Sequence, residues 1–253
     1  MVNRIQVDDS AQDVGRAAAR AVADEILAAV SARGKARVIF ASAPSQESML
    51  ASLAQDRRID WRSVRAFHMD EYLGLDMDRP QAFGRWLEDR LPETAQLERI
   101  RTDADTAEEI ARYSDLVAEE TIDVTCLGVG VNGHIAFNEP GRTDFADRRV
   151  AREIALDPAS RQQQVDEGLF ASLDEVPTAA LTLTVPALIA ARTMICTVLG
   201  PNKAEAVARA LHGAVSEDCP ASILATHSDV SWFLDRDAAA QLSDEAREMV
   251  RDG

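Results

Sequence analysis

Lysine is nearly missing from this chain of 253 residues: of 27 basic side chains, only Lys35 and Lys203 end in a compact ammonium. A site that needs such a point charge has two candidates, because every other cation is an arginine guanidinium. Cysteine is as scarce. Cys126, Cys196 and Cys219 are odd in number, make no CxxC pair and lie in apolar or mixed segments, which argues against a disulfide framework or a cysteine zinc site. Long apolar runs are lacking too. The most hydrophobic stretch, Thr178 to Leu199, is interrupted by Pro186 and Arg192 and reads as buried core, since a spanning helix needs about 20 apolar residues. The first residues, MVNRIQVDDSAQDVG, hold no apolar signal core, so a cytoplasmic protein is expected. Positive charge is outweighed by 43 acidic residues, for a net charge of −16. That field repels phosphate backbones and anionic headgroups and argues against nucleic-acid or membrane-surface roles.

What is present is ordinary globular composition, 46% hydrophobic and 28% charged. A chain of this size buries roughly three-quarters of its unfolded surface, enough for a core without staples. Val14, Ala18, Val22, Ile26 and Val30 recur at four-residue spacing and predict an amphipathic helix over 11–32. Ala36–Phe40 then reads as a buried strand, and Gln46–Ala54 as a helix with Ser42 or Ser45 as its N-cap. Further strands are expected at Val64–Met69, Asp123–Val129, Met194–Leu199, Ser222–Thr226 and Val230–Leu234. Helices are expected near 81–91, 106–119 and Lys203–Leu211, with a polar helix over Ala238–Arg251. Residues 142–180 are polar, arginine-rich and weakly patterned. Alternating strands and helices imply right-handed crossovers, hence a single α/β, Rossmann-like domain over 1–253 with a mostly parallel sheet and helices on both faces. Ligands in such folds bind at the carboxyl ends of strands, so the residues just after each strand are the places to look.

Four such segments carry chemistry. Ala41-Ser42-Ala43-Pro44-Ser45-Gln46 offers hydroxyls and N–H groups at a helix start, suited either to plain capping or to an anion. In Phe67-His68-Met69-Asp70-Glu71-Tyr72, neighbouring carboxylates at a strand end must face different ways. One could be a solvated acid or, in a sheltered cleft, a general base with raised pKa. Gly128-Val129-Gly130-Val131-Asn132-Gly133-His134 runs on to Asn138-Glu139-Pro140-Gly141, placing Glu139 within reach of His134. A carboxylate there would fix the imidazole tautomer and support proton shuttling, where a lone histidine is more often structural. Leu199-Gly200-Pro201-Asn202-Lys203 puts a lysine in a first helical turn, suited either to an exposed stem or to a bound anion. Gly128, Gly130 and Gly133 also satisfy GxGxxG, but Pro140-Gly141 breaks the chain where a dinucleotide motif needs a long helix, so that reading is rejected. His68, Asp70, His134 and Glu139 could be imagined around a metal, but no HExxH-like spacing supports it.

The strings FHMDEYLGL and GVGVNGHIAFNEPG closely resemble the two signature segments of glucosamine-6-phosphate deaminases (isomerases). VPTAALTLTVPALIAARTMICTVLGPNKAEAV resembles their third, and the likeness runs from about residue 10 to 235. The resemblance implies that Asp70 is the enolisation base, that His134 assists ring opening with Glu139 orienting it, and that Asn132 completes the relay. It implies that Lys203 holds the sugar phosphate, with help from Arg161 in SRQQQVDEGLF and from Ser42, Ser45 and Gln46. The implied reaction turns glucosamine 6-phosphate and water into fructose 6-phosphate and ammonia and requires neither metal nor organic cofactor. Three departures stand out. The PTGGTP-like phosphate turn of the family is here Ser42-Ala43-Pro44-Ser45-Gln46, which allows another sugar such as galactosamine 6-phosphate. His68 replaces the more usual asparagine, a change expected to alter the pKa of Asp70. The basic residues of the allosteric site in hexameric members are only partly matched after Gly141, so allosteric activation is expected to be absent.

Two rival readings remain. Lactonases of the same fold normally carry DER and GHxASLFP-like segments, which this chain lacks. A non-catalytic sugar-phosphate sensor would need a DNA-binding segment, and the 35 residues before the first expected strand are too few and too continuously helical for one. The partner expected is a small sugar phosphate, with 142–180 as a lid. Association into a homo-oligomer is left open.

Overall fold

The computed structural model describes residues 4–156, 161–162, 164–165 and 168–243. Seven strands form a parallel sheet: β1 (Arg4–Asp8), β2 (Ala36–Phe40), β3 (Val64–His68), β5 (Gln96–Glu98), β6 (Val124–Leu127), β9 (Thr193–Val198) and β10 (Val230–Asp235). Their spatial order is β1-β10-β9-β6-β2-β3-β5. From β2 the chain winds outward through β3 to β5, then returns to the other side of β2 and winds outward through β6, β9 and β10. The switch point lies between β2 and β6, and in such folds the ligand crevice lies outside the carboxyl ends of the strands there.

Both faces of this sheet are covered, as the continuous apolar strands imply. Val38 and Phe40 of β2 pack with Val14, Val22 and Ile26 of α1 (Ala11–Arg33) and Met49 and Leu53 of α2 (Glu47–Ala54). Leu87 of α3 (Phe83–Glu88) joins them on that face. Ile39, one residue over and so on the opposite face, packs with Tyr113 and Val117 of α4 (Thr106–Ala118), Leu188 of α5 (Val185–Ile189) and Val207 of α6 (Ala204–His212). Thr178–Leu199 is mostly buried, with Thr178, Ala190 and Arg192 exposed, and no helix of the described residues is long and apolar enough to cross a membrane.

A second sheet was not expected from the sequence. β4 (Asp70–Tyr72) pairs antiparallel with β8 (Ala179–Leu183), which pairs antiparallel with β7 (Ala151–Ala155). The expected strand Val64–Met69 therefore splits: the chain leaves the parallel sheet after His68 and enters the small sheet at Asp70. Part of the weakly patterned 142–180 segment is likewise ordered strand.

Three expectations are corrected. Ser222–Thr226 is no strand but lies in a 3-10 helix, Pro220–Thr226, where Pro220 starts the turn and Ser222 Oγ both accepts from Ser216 N and donates to Ser216 O. The start of the tail helix, Ala238 to Ser243, is a series of turns whose first N–H is taken by Asp235, and residues 244–251 lie outside the described residues. Neither Ser42 nor Ser45 caps a helix. A 3-10 turn, Pro44–Gln46, leads into α2 without a side-chain cap.

Candidate active site

Four neighbouring strands, β9, β6, β2 and β3, send their carboxyl ends to one edge of the sheet, and each ends in one of the four chemistry-bearing segments. After β2, Ser42 Oγ donates to the Phe83 carbonyl at 3.1 Å. Gln46 is fully buried, and its amide donates to Ser45 Oγ (3.0 Å) and to the carbonyls of Leu127 and Thr197 (both 3.3 Å). That amide clamps the ends of β6 and β9 together, so Gln46 faces the sheet interior and not the crevice. The N–H groups of Ser42, Ala43 and Ser45 meet no acceptor among the described residues. A Cβ added to Gly128 would come 3.1 Å from Ser45 Oγ, so the loops after β2 and β6 touch where the sheet switches direction.

After β3, the two carboxylates do separate. Glu71 is buried, and its oxygens accept the N–H groups of Tyr72 (3.0 Å), Phe83 (3.0 Å) and Gly84 (2.8 Å), which fastens the start of α3. Asp70 is only 7% exposed, and its carboxylate accepts no hydrogen bond from any described residue. Burial, reinforced by the negative charge of Glu71, pushes its pKa well above the ordinary carboxylate range. His68 does not enter that balance as a charge. Its imidazole is fully buried, and burial lowers its pKa to about 3.

After β6, the side chains of Asn132, His134 and Glu139 bond to one another. His134 Nδ1 lies 2.9 Å from Asn132 Oδ1 and 3.1 Å from Glu139 Oε1, and Asn132 Nδ2 donates to Glu139 Oε2 at 2.6 Å. With two acceptors around Nδ1, the proton sits there and Nε2 is left for other partners. Two of the three glycines answer to the packing of this loop. A Cβ on Gly130 would fall 2.2–2.4 Å from the His134 ring atoms, and Gly133 adopts φ +91° against Cys219. Turns follow, and Ala136 is held at φ +52°, a conformation a non-glycine rarely takes.

The loop that carries His134 is pinned to the strand beside Asp70. Phe137 N donates to Thr182 Oγ1 (3.2 Å), and Asn138 Nδ2 donates to the Leu183 carbonyl (2.8 Å). Thr182 is the register partner of Asp70, and Leu183 N donates to the Met69 carbonyl at 2.8 Å. Thr182 and Asn138 escaped sequence reasoning. The signal that could have found Asn138 is its place inside the same short string as His134 and Glu139.

After β9, Gly200 takes φ +91° and gives its N–H to both oxygens of Asp235 (3.1 and 2.9 Å), and half-buried Lys203 ends the next turn just ahead of α6. Arg161 stands apart from these loops in its bonding. Its guanidinium donates to the carbonyls of Leu173 (2.6 Å) and Val176 (2.7 Å). No cluster of side chains suited to a metal ion occurs among the described residues.

The chain is similar to known proteins of one family. The profile of the family described as glucosamine-6-phosphate isomerases/6-phosphogluconolactonase matches residues 9–232. A glucosamine-6-phosphate deaminase of Exiguobacterium sibiricum is 37% identical over 198 residues, 77% of each chain. Glucosamine-6-phosphate deaminase 1 of Bacillus subtilis is 36% identical over 76% of this chain and 80% of its own. Among solved structures, a monomeric glucosamine-6-phosphate deaminase superposes with a TM-score of 0.83 at 31% identity, covering 94% of this chain and 99% of that one. A 6-phosphogluconolactonase of Trypanosoma brucei, at 18% identity, TM-score 0.80 and coverage of 96% and 99%, shares the fold.

Proposed function

Because the chain belongs to the glucosamine-6-phosphate isomerase/6-phosphogluconolactonase family, we propose that its crevice converts glucosamine 6-phosphate and water to fructose 6-phosphate and ammonia. The observation that carries the reading is Asp70: a buried carboxylate with no hydrogen bond from a described residue and a raised proton affinity, in a site whose other half is a His–Asn–Glu relay. Abstraction of a proton from carbon needs a base whose pKa lies near the working pH.

His134 Nε2 moves a proton between the pyranose ring oxygen and the C1 hydroxyl, which opens the ring to the aldehyde. Glu139 stabilises the imidazolium that forms on the way. Asp70 then takes the C2 proton. The C2–H electron pair becomes a C1–C2 double bond as the carbonyl oxygen gains a proton, and Asp70 returns its proton to C1. The product is a ketose imine at C2. Water adds to that carbon and ammonia leaves. Lys203, the hydroxyls and open N–H groups of Ser42 and Ser45, and Arg161 hold the phosphate, while Gln46 keeps the loops beneath them at fixed spacing. Arg161 belongs to the 161–176 part of a lid, and its carbonyl partners give it a second resting place.

The lactonase alternative has less support, since the deaminase relatives are 31–37% identical and the T. brucei lactonase shares 18%. A purely sensory role leaves the raised proton affinity of Asp70 without a use. We place the enzyme in the cytoplasm, in keeping with three buried, unpaired cysteines.

Ammonia release from glucosamine 6-phosphate tests the proposal, with galactosamine 6-phosphate and 6-phosphogluconolactone run in parallel. Asp70→Asn is expected to lower amino-sugar turnover by about a thousandfold, the scale of a lost general base. In the unsubstituted enzyme kcat/KM should rise with pH through a pKa well above the usual carboxylate range. Lactone hydrolysis that survives Asp70→Asn, with no ammonia from either amino sugar, would replace this reading by the lactonase one.

A further inference from the structure

Taking Asp70 as the base, we infer that His68 is its positioning residue, holding the base in place through a hydrogen bond to the Asp70 backbone carbonyl. His68 is the last residue of β3 and is fully buried. Its Nε2 accepts the N–H of Ile100 at 2.9 Å. A ring nitrogen that accepts carries no proton, so the proton of the neutral imidazole is on Nδ1. Nδ1 then donates to the carbonyl of Asp70 at 2.8 Å. The backbone of His68 is secured as well: the Tyr113 hydroxyl accepts its N–H at 3.0 Å and donates to its carbonyl at 2.7 Å.

The place of this bond gives it its importance. Between His68 and Asp70 the chain passes from one sheet to another, a junction where neither ladder fixes the backbone completely. β4 is an edge strand of the small sheet. The Met69 carbonyl points at β8, where it accepts from Leu183 N. Carbonyls alternate along a strand, so the Asp70 carbonyl points to the open side. The imidazole supplies there the donor that a neighbouring strand would have given. The Asp70 carboxylate has no hydrogen-bond partner of its own among the described residues, so its direction follows from its Cα–Cβ bond and hence from this peptide. Protonating the ring would cost Ile100 its acceptor, and burial keeps the ring neutral, so one tautomer persists across the working pH range.

Two substitutions separate the halves of the imidazole. In His68→Asn an amide nitrogen stands near the position of Nδ1 and can still reach the Asp70 carbonyl. In His68→Gln an amide oxygen stands near Nε2 and can still accept from Ile100. Each leaves one buried group unpaired, so both should lower Tm. A base shifted by a fraction of an ångström loses rate without losing substrate affinity, so His68→Gln is expected to lower kcat about tenfold or more with KM unchanged. His68→Asn is expected to stay within about threefold of the unsubstituted enzyme. Equal losses in kcat, or a larger loss in His68→Asn, would overturn the proposal and leave His68 as a support for Ile100. Nitrogen-15 NMR of the unsubstituted protein gives a test independent of turnover. It should show the neutral Nδ1–H form from pH 5 to 8, and the Nε2–H form would refute the proposal. Asp70→Asn measured alongside isolates the premise, because undiminished turnover there removes the base itself and not its support.

Discussion

The two halves of the site are built on opposite plans. On the Asp70 side every group is buried, the backbone belongs to strands, and Glu71, His68 and Tyr113 spend their polar atoms on the main chain. On the His134 side the residues sit in a loop, the His134 side chain is 30% exposed, and shape comes from glycines and from Ala136 at positive φ. The difference follows the chemistry. A carboxylate becomes a stronger base when water is kept from its charge. A histidine proposed to move protons between sugar oxygens needs a fixed tautomer more than a dry site. Burial tunes the first half and hydrogen-bond direction tunes the second.

The contrast should break most visibly at Gly130. Its φ lies outside the left-handed region, so alanine is tolerated by the backbone, but the added methyl would occupy the space of the His134 ring. Gly130→Ala is expected to lower kcat about a hundredfold by turning the imidazole out of the relay. Thermal stability should change little, since the loop is half exposed. A crystal structure or steady-state kinetics checks this, and an unchanged kcat would show that the ring has room to spare.

Glu71→Gln sharpens the other half. One amide N–H would then face a backbone N–H of Phe83 or Gly84 in a buried place, a loss of about 1–3 kcal/mol. It also removes the negative charge that helps keep Asp70 protonated. With that charge gone the ionised form of Asp70 is easier to reach, so the acid limb of the kcat/KM profile should move to lower pH while the plateau stays within a few-fold. A limb that does not move would mean that burial alone sets the proton affinity of Asp70.

How much of this was legible beforehand follows the same division. β2, β6 and β9 are short, mostly apolar runs and announce themselves, as does GVGVNGHIAFNEPG, where His134 and its partners lie within eight residues. The small sheet does not. Asp70–Tyr72 is three residues long and finds its partner, Ala180–Thr182, more than a hundred residues later, so no local period betrays it. The serines of 42–45 looked like caps because hydroxyls before a helix usually are, but Pro44 opens a tighter turn and Ser42 turns to Phe83 instead. Gln46 looked like a ligand group because it lies beside those serines, and only the sheet geometry shows carbonyls of two strands converging on its amide.

The smallest expected effect lies where the two halves meet the segment proposed as a lid. The ring of Tyr72 packs against Phe83, Phe137 and Phe170, with centroids 4.8, 5.6 and 5.7 Å away, and so touches α3, the His134 loop and the proposed lid segment together. Its hydroxyl donates to Gln164 Oε1 at 2.9 Å. Tyr72→Phe keeps the ring and removes that bond, worth about 0.5–1.5 kcal/mol to the closed arrangement. If closing the lid helps hold substrate, KM should rise about two- to threefold with kcat nearly constant, the kinetic sign of a lost ground-state contact. If reopening the lid limits product release, kcat should rise instead, because the weaker latch lets go sooner. The ratio of the two effects therefore says whether the aromatic cluster serves binding or release, and a variant with both constants unchanged would show that the base and the relay work without any help from the lid.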